Sequence, residues 1–322
     1  MMNITRILCP VDLSPDSDKA LRYAAAIARA YKAKLFVCYC AEELVGVIPV
    51  YQPEAREEIK KVVQRAIGLE AVETMDLDWE SIILEGDSPA EAITLEAGTR
   101  GIDLIVMCSR RRPLRAALLG STTESVYRTA PCPVLVLHPD QREWATAGES
   151  NTVALKRVLV AHDFSDYSEL ALRQALSLAQ EYQAELHLLH VLDAPVLGGP
   201  EIAWIPSSTE GAYHKAARAL QKAVPVEAYL WCEVKQAVRW GKPYREILNY
   251  AEEQEIDLIC MGSQGTGFGM RTLFGSNVDR VIRQSPCPAF VARPLRPTHA
   301  PLSMLSNHEP LFLLKEKYNE SL

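Results

Sequence analysis

The chain repeats itself. Arg6-Ile7-Leu8-Cys9-Pro10-Val11-Asp12-Leu13-Ser14 returns 151 residues later as Arg157-Val158-Leu159-Val160-Ala161-His162-Asp163-Phe164-Ser165, and Ala33-Lys34-Leu35-Phe36-Val37 returns at the same offset as Ala184-Glu185-Leu186-His187-Leu188. Ile102 to Met107 matches Ile256 to Met261 at offset 154, while Gly120-Ser121 and Pro131-Cys132-Pro133 match Gly275-Ser276 and Pro286-Cys287-Pro288 at 155. Solenoid repeats have periods of about 20–50 residues, so this is one whole domain used twice. The chain has 322 residues, and each copy is long enough to bury its own core. The polar, aperiodic run from His138 to Thr152 marks a linker. The expected division is a first domain over 1–138, a linker over 139–155, a second domain over 156–296 and a tail over 297–322. The tail has no counterpart in the first half, and its Leu311-Phe312-Leu313-Leu314 run either docks or hangs loose.

Within each copy, short apolar runs alternate with helical patterns. In the second copy, Val158 to His162 reads as a strand, followed after Ser165-Asp166 by a helix with Leu172, Ala175, Leu176 and Ala179 on one face. Further strands are expected at Leu186–Leu192, Ala228–Val234, Asp257–Met261 and Ala289–Ala292, and helices at Tyr213–Ala223, Tyr244–Gln254 and Ser276–Arg283. Continuous apolar strands separated by helices predict a five-stranded parallel sheet per domain, covered on both faces and joined by right-handed crossovers. Ligands of such α/β sheets bind outside the C-terminal strand ends.

Composition removes several alternatives. With 48% hydrophobic and 23% charged residues the chain is that of a globular protein. Its formal charge of −7 and sequence pI near 5.6 disfavour binding to nucleic acid or to anionic membranes. No apolar run reaches the ~18 residues of a membrane span, and the N-terminus lacks the apolar core of a signal peptide, so a cytoplasmic location is expected. Eight cysteines without a C-x-x-C pair read as reduced core residues.

The strongest local signal lies where the fourth strand of the second copy ends. Five glycines fall within the fourteen residues from Gly262 to Gly275, and a helix opens at Ser276. Glycine lets backbone N–H groups approach a ligand without a Cβ in the way, and a helix start adds unpaired N–H groups and partial positive charge. Together they make a cradle for anions, phosphates in particular. The loop is not a Walker A sequence, and it lacks the compact Gly-x-Gly-x-x-Gly opening of a dinucleotide site.

The spacing Gly-x2-Gly-x9-Gly-Ser, here Gly262, Gly265, Gly275 and Ser276, resembles the ATP-binding signature of the universal stress protein family. The doubled length is similar to its tandem members, and the resemblance covers about 4–137 and 156–294. It implies two Rossmann-like domains of the adenine nucleotide alpha hydrolase type, with ATP as ligand and Mg²⁺ as its companion. By the same resemblance Ala161, His162 and Asp163 contact the nucleoside, and Val191 lies on the adenine side. Met261 and Gly262 pass under the ribose and first phosphates, Gln264 and Gly265 line the phosphate path, and Gly275, Ser276, Asn277 and Val278 close it. Taken alone, Asp163 reads equally well as a helix N-cap or an Asx turn.

The first copy departs from the pattern. Cys108 stands where Gly262 does, an arginine stands near the place of Gly265, and the loop is one residue shorter. Side chains there should obstruct phosphates, so one competent ATP site per chain is expected, in the second domain. Arg110, Arg111, Arg112 and Arg115 form either a basic patch for another anion or partner, or a solvated loop. His187 and His190 lack ligand-spaced partners for a metal, and no catalytic triad can be assembled.

Three functions follow. The first is a nucleotide-dependent regulatory module in stress response, the second a slow ATPase or autophosphorylating enzyme using Ser276 or a nearby hydroxyl, and the third a nucleotide-independent scaffold. The strand led by Pro-Cys-Pro would leave an exposed sheet edge in each domain. The resemblance makes this strand the dimer contact, so the two halves are expected to pair internally, with a homodimer of chains above that and protein partners unknown.

Overall fold

The computed structural model describes residues 2–41, 52–67, 77–109, 120–144, 153–193, 207–265 and 275–294. The arginine cluster at 110–115 and the tail from Pro297 lie outside the described residues. The first half runs β1 (Arg6–Val11), α1 (Pro15–Tyr31), β2 (Lys34–Ala41), α2 (Gln52–Ile67), β3 (Trp79–Glu85), α3 (Pro89–Thr99), β4 (Leu104–Cys108), α4 (Ser121–Thr129) and β5 (Val134–Leu137). The second runs β6 (Arg157–Ala161), α5 (Asp166–Tyr182), β7 (Glu185–Leu192), α6 (Ser207–Ala223), β8 (Val234–Trp240), α7 (Pro243–Glu253), β9 (Leu258–Gly262), α8 (Ser276–Gln284) and β10 (Ala289–Ala292).

All ten strands form one sheet in the order β3-β2-β1-β4-β5-β10-β9-β6-β7-β8. Pairing is parallel within each half and antiparallel between β5 and β10, where Phe290 faces Leu135 and Ala289 faces Val136. The two Pro-Cys-Pro strands thus cover each other's edges within one chain. Alternation along the strands splits the core into two layers: Ile7 and Cys9 of β1 join the layer under α1, α2, α5 and α6, whereas Leu8 joins the one under α3, α4, α7 and α8. Both layers contain residues from both halves. In α5, Ser165 caps the start by accepting the Ser168 N–H at 3.2 Å, and Gln183 ends the helix in the left-handed region (φ 53°).

The seam is polar as well as apolar. Tyr127 of α4 donates its hydroxyl to Asp279 of α8 at 2.8 Å, and Arg128 bonds the same carboxylate. In the reciprocal contact, Arg283 reaches Glu124 at 2.6 Å. Glu124 and Asp279, like Arg128 and Arg283, are equivalent positions of the repeat, so the clasp is self-complementary in the manner of a two-fold interface. The start of the linker is built into this seam: His138 Nε2 bonds the Ile282 carbonyl at 2.5 Å, and Gln141 donates to the Ser285 carbonyl at 3.0 Å. Trp144, only 4% exposed, stacks edge-on against Tyr23 at 4.6 Å.

One expected strand is misplaced. Ala228–Val234 is instead a short 3-10 helix over Val226–Leu230 followed by β8 at Val234–Trp240. Only Ala228 of that 3-10 turn is buried, while Val226 and Leu230 are 79% and 86% exposed. The apolar residues marked a turn after Pro225, and the true strand, Val-Lys-Gln-Ala-Val-Arg-Trp, is a partly polar sheet edge that hydrophobic periodicity does not reveal. Helix α6 also begins earlier than Tyr213, at Ser207.

His187 of β7 is buried, bonds the Tyr250 hydroxyl at 2.9 Å through Nδ1, and places Nε2 3.2 Å from Glu185. Burial pushes its pKa below the ordinary value, although Glu185 pulls the other way. The native state therefore holds a neutral ring, and the unfolded chain takes up the extra proton as pH falls below about 6.5. Stability from this site is present above that pH and is lost below it. His187→Gln should flatten the fall in urea-denaturation stability between about pH 6.5 and 5 relative to wild type; parallel curves would contradict this.

Candidate functional site

The expected site residues gather at the carboxyl ends of β6, β7 and β9 and at the first turn of α8. In the half-sheet order β10-β9-β6-β7-β8, the chain reverses direction across the sheet between β6 and β9. This is the crevice in which open α/β sheets accept ligands.

The loop after β6 is held by consecutive local bonds. The His162 N–H donates to Leu189 O at 2.8 Å, tying the strand end to β7. Asp163 Oδ1 accepts the Ser165 N–H at 3.1 Å and the Ser165 hydroxyl at 2.5 Å, and Ser168 Oγ accepts the Asp163 N–H at 3.3 Å. Asp163 thus forms an Asx turn, while the N-cap of α5 is Ser165. Asp12 makes the same turn in the first half, accepting from Ser14 N at 3.0 Å and Ser14 Oγ at 2.5 Å. Both turns hold a bulky residue in the left-handed region, Phe164 at φ 64° and Leu13 at φ 63°, a conformation that costs energy and clusters at functional sites.

Three glycines shape the opposite wall. A Cβ built on Gly265 would stand 2.5 Å from Asp163 Oδ2, so the loop leaving β9 passes directly beside the Asp163 carboxylate. Gly275 donates its N–H to Ser263 O at 3.2 Å, closing the base of the loop, and caps α8 without a side-chain acceptor. Gly262 has another reason for lacking a side chain: its Cβ would lie 2.5 Å from the carbonyl carbon and 2.6 Å from the carbonyl oxygen of Tyr167. It seats the first turn of α5 against β9, so the expected obstruction of phosphates is preceded here by a clash within the protein.

Other expected residues divide by exposure. Ser276 is exposed, Gln264, Asn277 and Val191 are half-buried, and Gly265 faces solvent. Met261 and Val278 are buried in the core layer below, and Ala161 packs against that layer, so at these positions the backbone is what faces the crevice. His162 is 4% exposed, and its ring bonds the Phe164 N–H of the same loop. Sequence reasoning missed Tyr167, Ser168 and Glu169, although the Ser165-x-x-Ser168 spacing at a helix start is a readable capping signal.

The first half has the same Asx turn and a glycine-capped α4, with Gly120 donating to Ser109 Oγ at 3.3 Å. Cys108, however, brings a half-buried side chain to the β4 end, and burial pushes its thiol up to about 12. That thiol is protonated at neutral pH and is no nucleophile.

Fold and crevice together define a doubled, doubly wound α/β architecture. The universal stress protein family matches residues 3–138 and 154–293, and the chain belongs to that family, with its domain present twice. A universal stress protein of Mycolicibacterium smegmatis is 29% identical over 306 residues, spanning 89% of this chain and 97% of its own. Universal stress protein YxiE of Bacillus subtilis is 32% identical over 152 residues, or 42% of this chain and 98% of its own. Among solved structures, a universal stress protein from Archaeoglobus fulgidus superposes with a TM-score of 0.65 at 27% identity, covering 89% of this chain and 98% of its own. A universal stress protein solved in complex with cAMP matches at 21% identity and a TM-score of 0.34, a likeness too slight to bear on this chain's ligand.

Proposed function

We propose that the chain binds ATP in the crevice of its second half and acts as a nucleotide-dependent regulatory module in stress response. The observation that carries this reading is the juxtaposition of Gly265 and Asp163, a passage a single Cβ would fill, beside a helix whose first-turn amides have no side-chain cap. Phosphates fit that cradle through the backbone N–H groups of Gly265, Ser276, Asn277 and Val278 and the Ser276 hydroxyl, with Gly275 closing its base through its bond to Ser263. Asp163, Ala161 and Val191 would face the nucleoside. Among the described residues no three His, Cys, Asp or Glu side chains gather as a metal site, so Mg²⁺ would enter on the phosphates. The first half, with Cys108 in place of Gly262, would bind no ATP. Such a module belongs in the cytoplasm, where ATP is present. Among the described residues no helix is long and apolar enough to cross a membrane. Because β5 and β10 use each other's edges, a homodimer of chains would form through another face.

The test is Gly265→Ala. The new Cβ would press on Asp163 Oδ2, the end of a side chain that can shift, so stability should fall by no more than about 1–2 kcal/mol, whereas ATP affinity by calorimetric titration should fall at least about tenfold. Unchanged affinity would remove the phosphate path from this loop. Phosphate release from added ATP, above that of the variant, would move the reading from regulator to slow ATPase.

A further inference from the structure

The two Asx turns are braced differently. In the first half, Arg65 of α2 reaches across to the turn: its guanidinium pairs with Asp18 at 2.6 Å and donates to the Leu13 carbonyl at 3.4 Å. In the second half, the position of Asp18 is taken by Glu169 and that of Val11 by His162, each 151 residues on. His162 Nδ1 accepts the N–H of Phe164 at 3.2 Å, and its Nε2 is buried 3.4 Å from Glu169 Oε2. One turn is thus held by a permanent cation, the other by an imidazole that holds it only while Nδ1 carries a lone pair.

The His162 bond sits at the strained residue itself. Phe164 occupies the left-handed region between Asp163 and Ser165, and its ring packs edge-on to His162 at 5.1 Å and against His190 at 4.5 Å. Val11 has no acceptor to offer Leu13 in the first half.

We propose that His162 is a positioning residue for the second-half loop, and that protonation of its ring loosens the turn carrying Asp163, making ligand binding there acid-labile. The second clause rests on the nucleotide reading above. Protonated Nδ1 is a donor and faces another donor, the Phe164 N–H, so that bond is lost. Of the charged groups around the ring, Glu169 on α5 faces Nε2 and Asp163 adjoins in the loop. His190 on β7 faces the backbone, bonding the His162 carbonyl through Nδ1 at 2.7 Å.

The experiment compares wild type with His162→Asn, which keeps an acceptor at the Nδ1 position, His162→Gln, which moves it to the Nε2 position, and His162→Val, which installs the first-half residue. Hydrogen-exchange protection of 161–169 is measured in the full chain without ligand at pH 7.5 and 5.5, corrected for intrinsic exchange, together with ATP affinity at both pH values. Wild type should lose protection about three- to tenfold at pH 5.5, Asn should hold it at both, and Gln and Val should lack it at both. Affinity should follow the same order. The γ-phosphate of ATP also titrates, but equally for all four proteins, so the difference between wild type and Asn reports the ring. Wild-type protection in His162→Val, or an equal acid response in His162→Asn, overturns the proposal. If no protein binds ATP while the protection order holds, the nucleotide reading falls and the brace stands.

Discussion

Gly262→Val is expected to abolish ATP binding and to destabilise the second half by about 1–3 kcal/mol, the range for inserting bulk into a packed site. The new Cβ would meet the Tyr167 backbone at 2.5 Å, and a helix backbone cannot turn aside as a side chain can. Relief requires the first turn of α5 to move, and with it the bonds of Ser165 and Ser168 to Asp163. The equivalent position already carries a side chain in the first half, so Cys108→Val should change stability by less than about 1.5 kcal/mol and leave ATP binding as it was. Urea denaturation with ATP titration of the two variants checks both. Equal effects would contradict the assignment of the competent half.

Trp144→Ala should cost about 3–5 kcal/mol, the range for removing a large buried aromatic side chain. The indole lies in an apolar seam lined by Ile4, Ile27 and Leu104 of the first half and Leu178, Leu258 and Phe290 of the second. Its backbone is held as well, with the Trp144 N–H donating to the Tyr23 hydroxyl at 2.9 Å and its carbonyl accepting from Ala154 N at 2.7 Å. Removing the ring opens a cavity that the β5–β10 pairing and the Asp279 clasp prevent from collapsing. Thermal unfolding should begin at a lower temperature and lose cooperativity between the halves. A loss below about 1 kcal/mol would mean the linker contributes no more than surface substitutions do.

Much of the architecture was legible because the repeat supplied two readings of each element. Strands such as Val158–Val160 and Leu258–Met261 are continuous apolar runs because both sheet faces are covered. The polar edge strand β8 broke that rule and was misread. The glycines marked the crevice, yet the reason for Gly262 was hidden: a close approach to Tyr167 joins residues 95 positions apart, which no local pattern encodes. The bond from the Phe164 N–H to the buried His162 ring was not legible either, because it depends on the left-handed turn between them. The polarity of His138–Trp144 concealed the burial of this stretch, since its polar groups find partners on the other half rather than in water.

The central claim is that one crevice of the two takes ATP. Its most direct test is to denature the purified protein, identify the released nucleotide and quantify it per chain, before and after incubation with Mg-ATP. The account predicts about one ATP per chain, lost in Gly265→Ala. Two per chain would show that Cys108 does not disable the first half, and none even after incubation would contradict the claim outright.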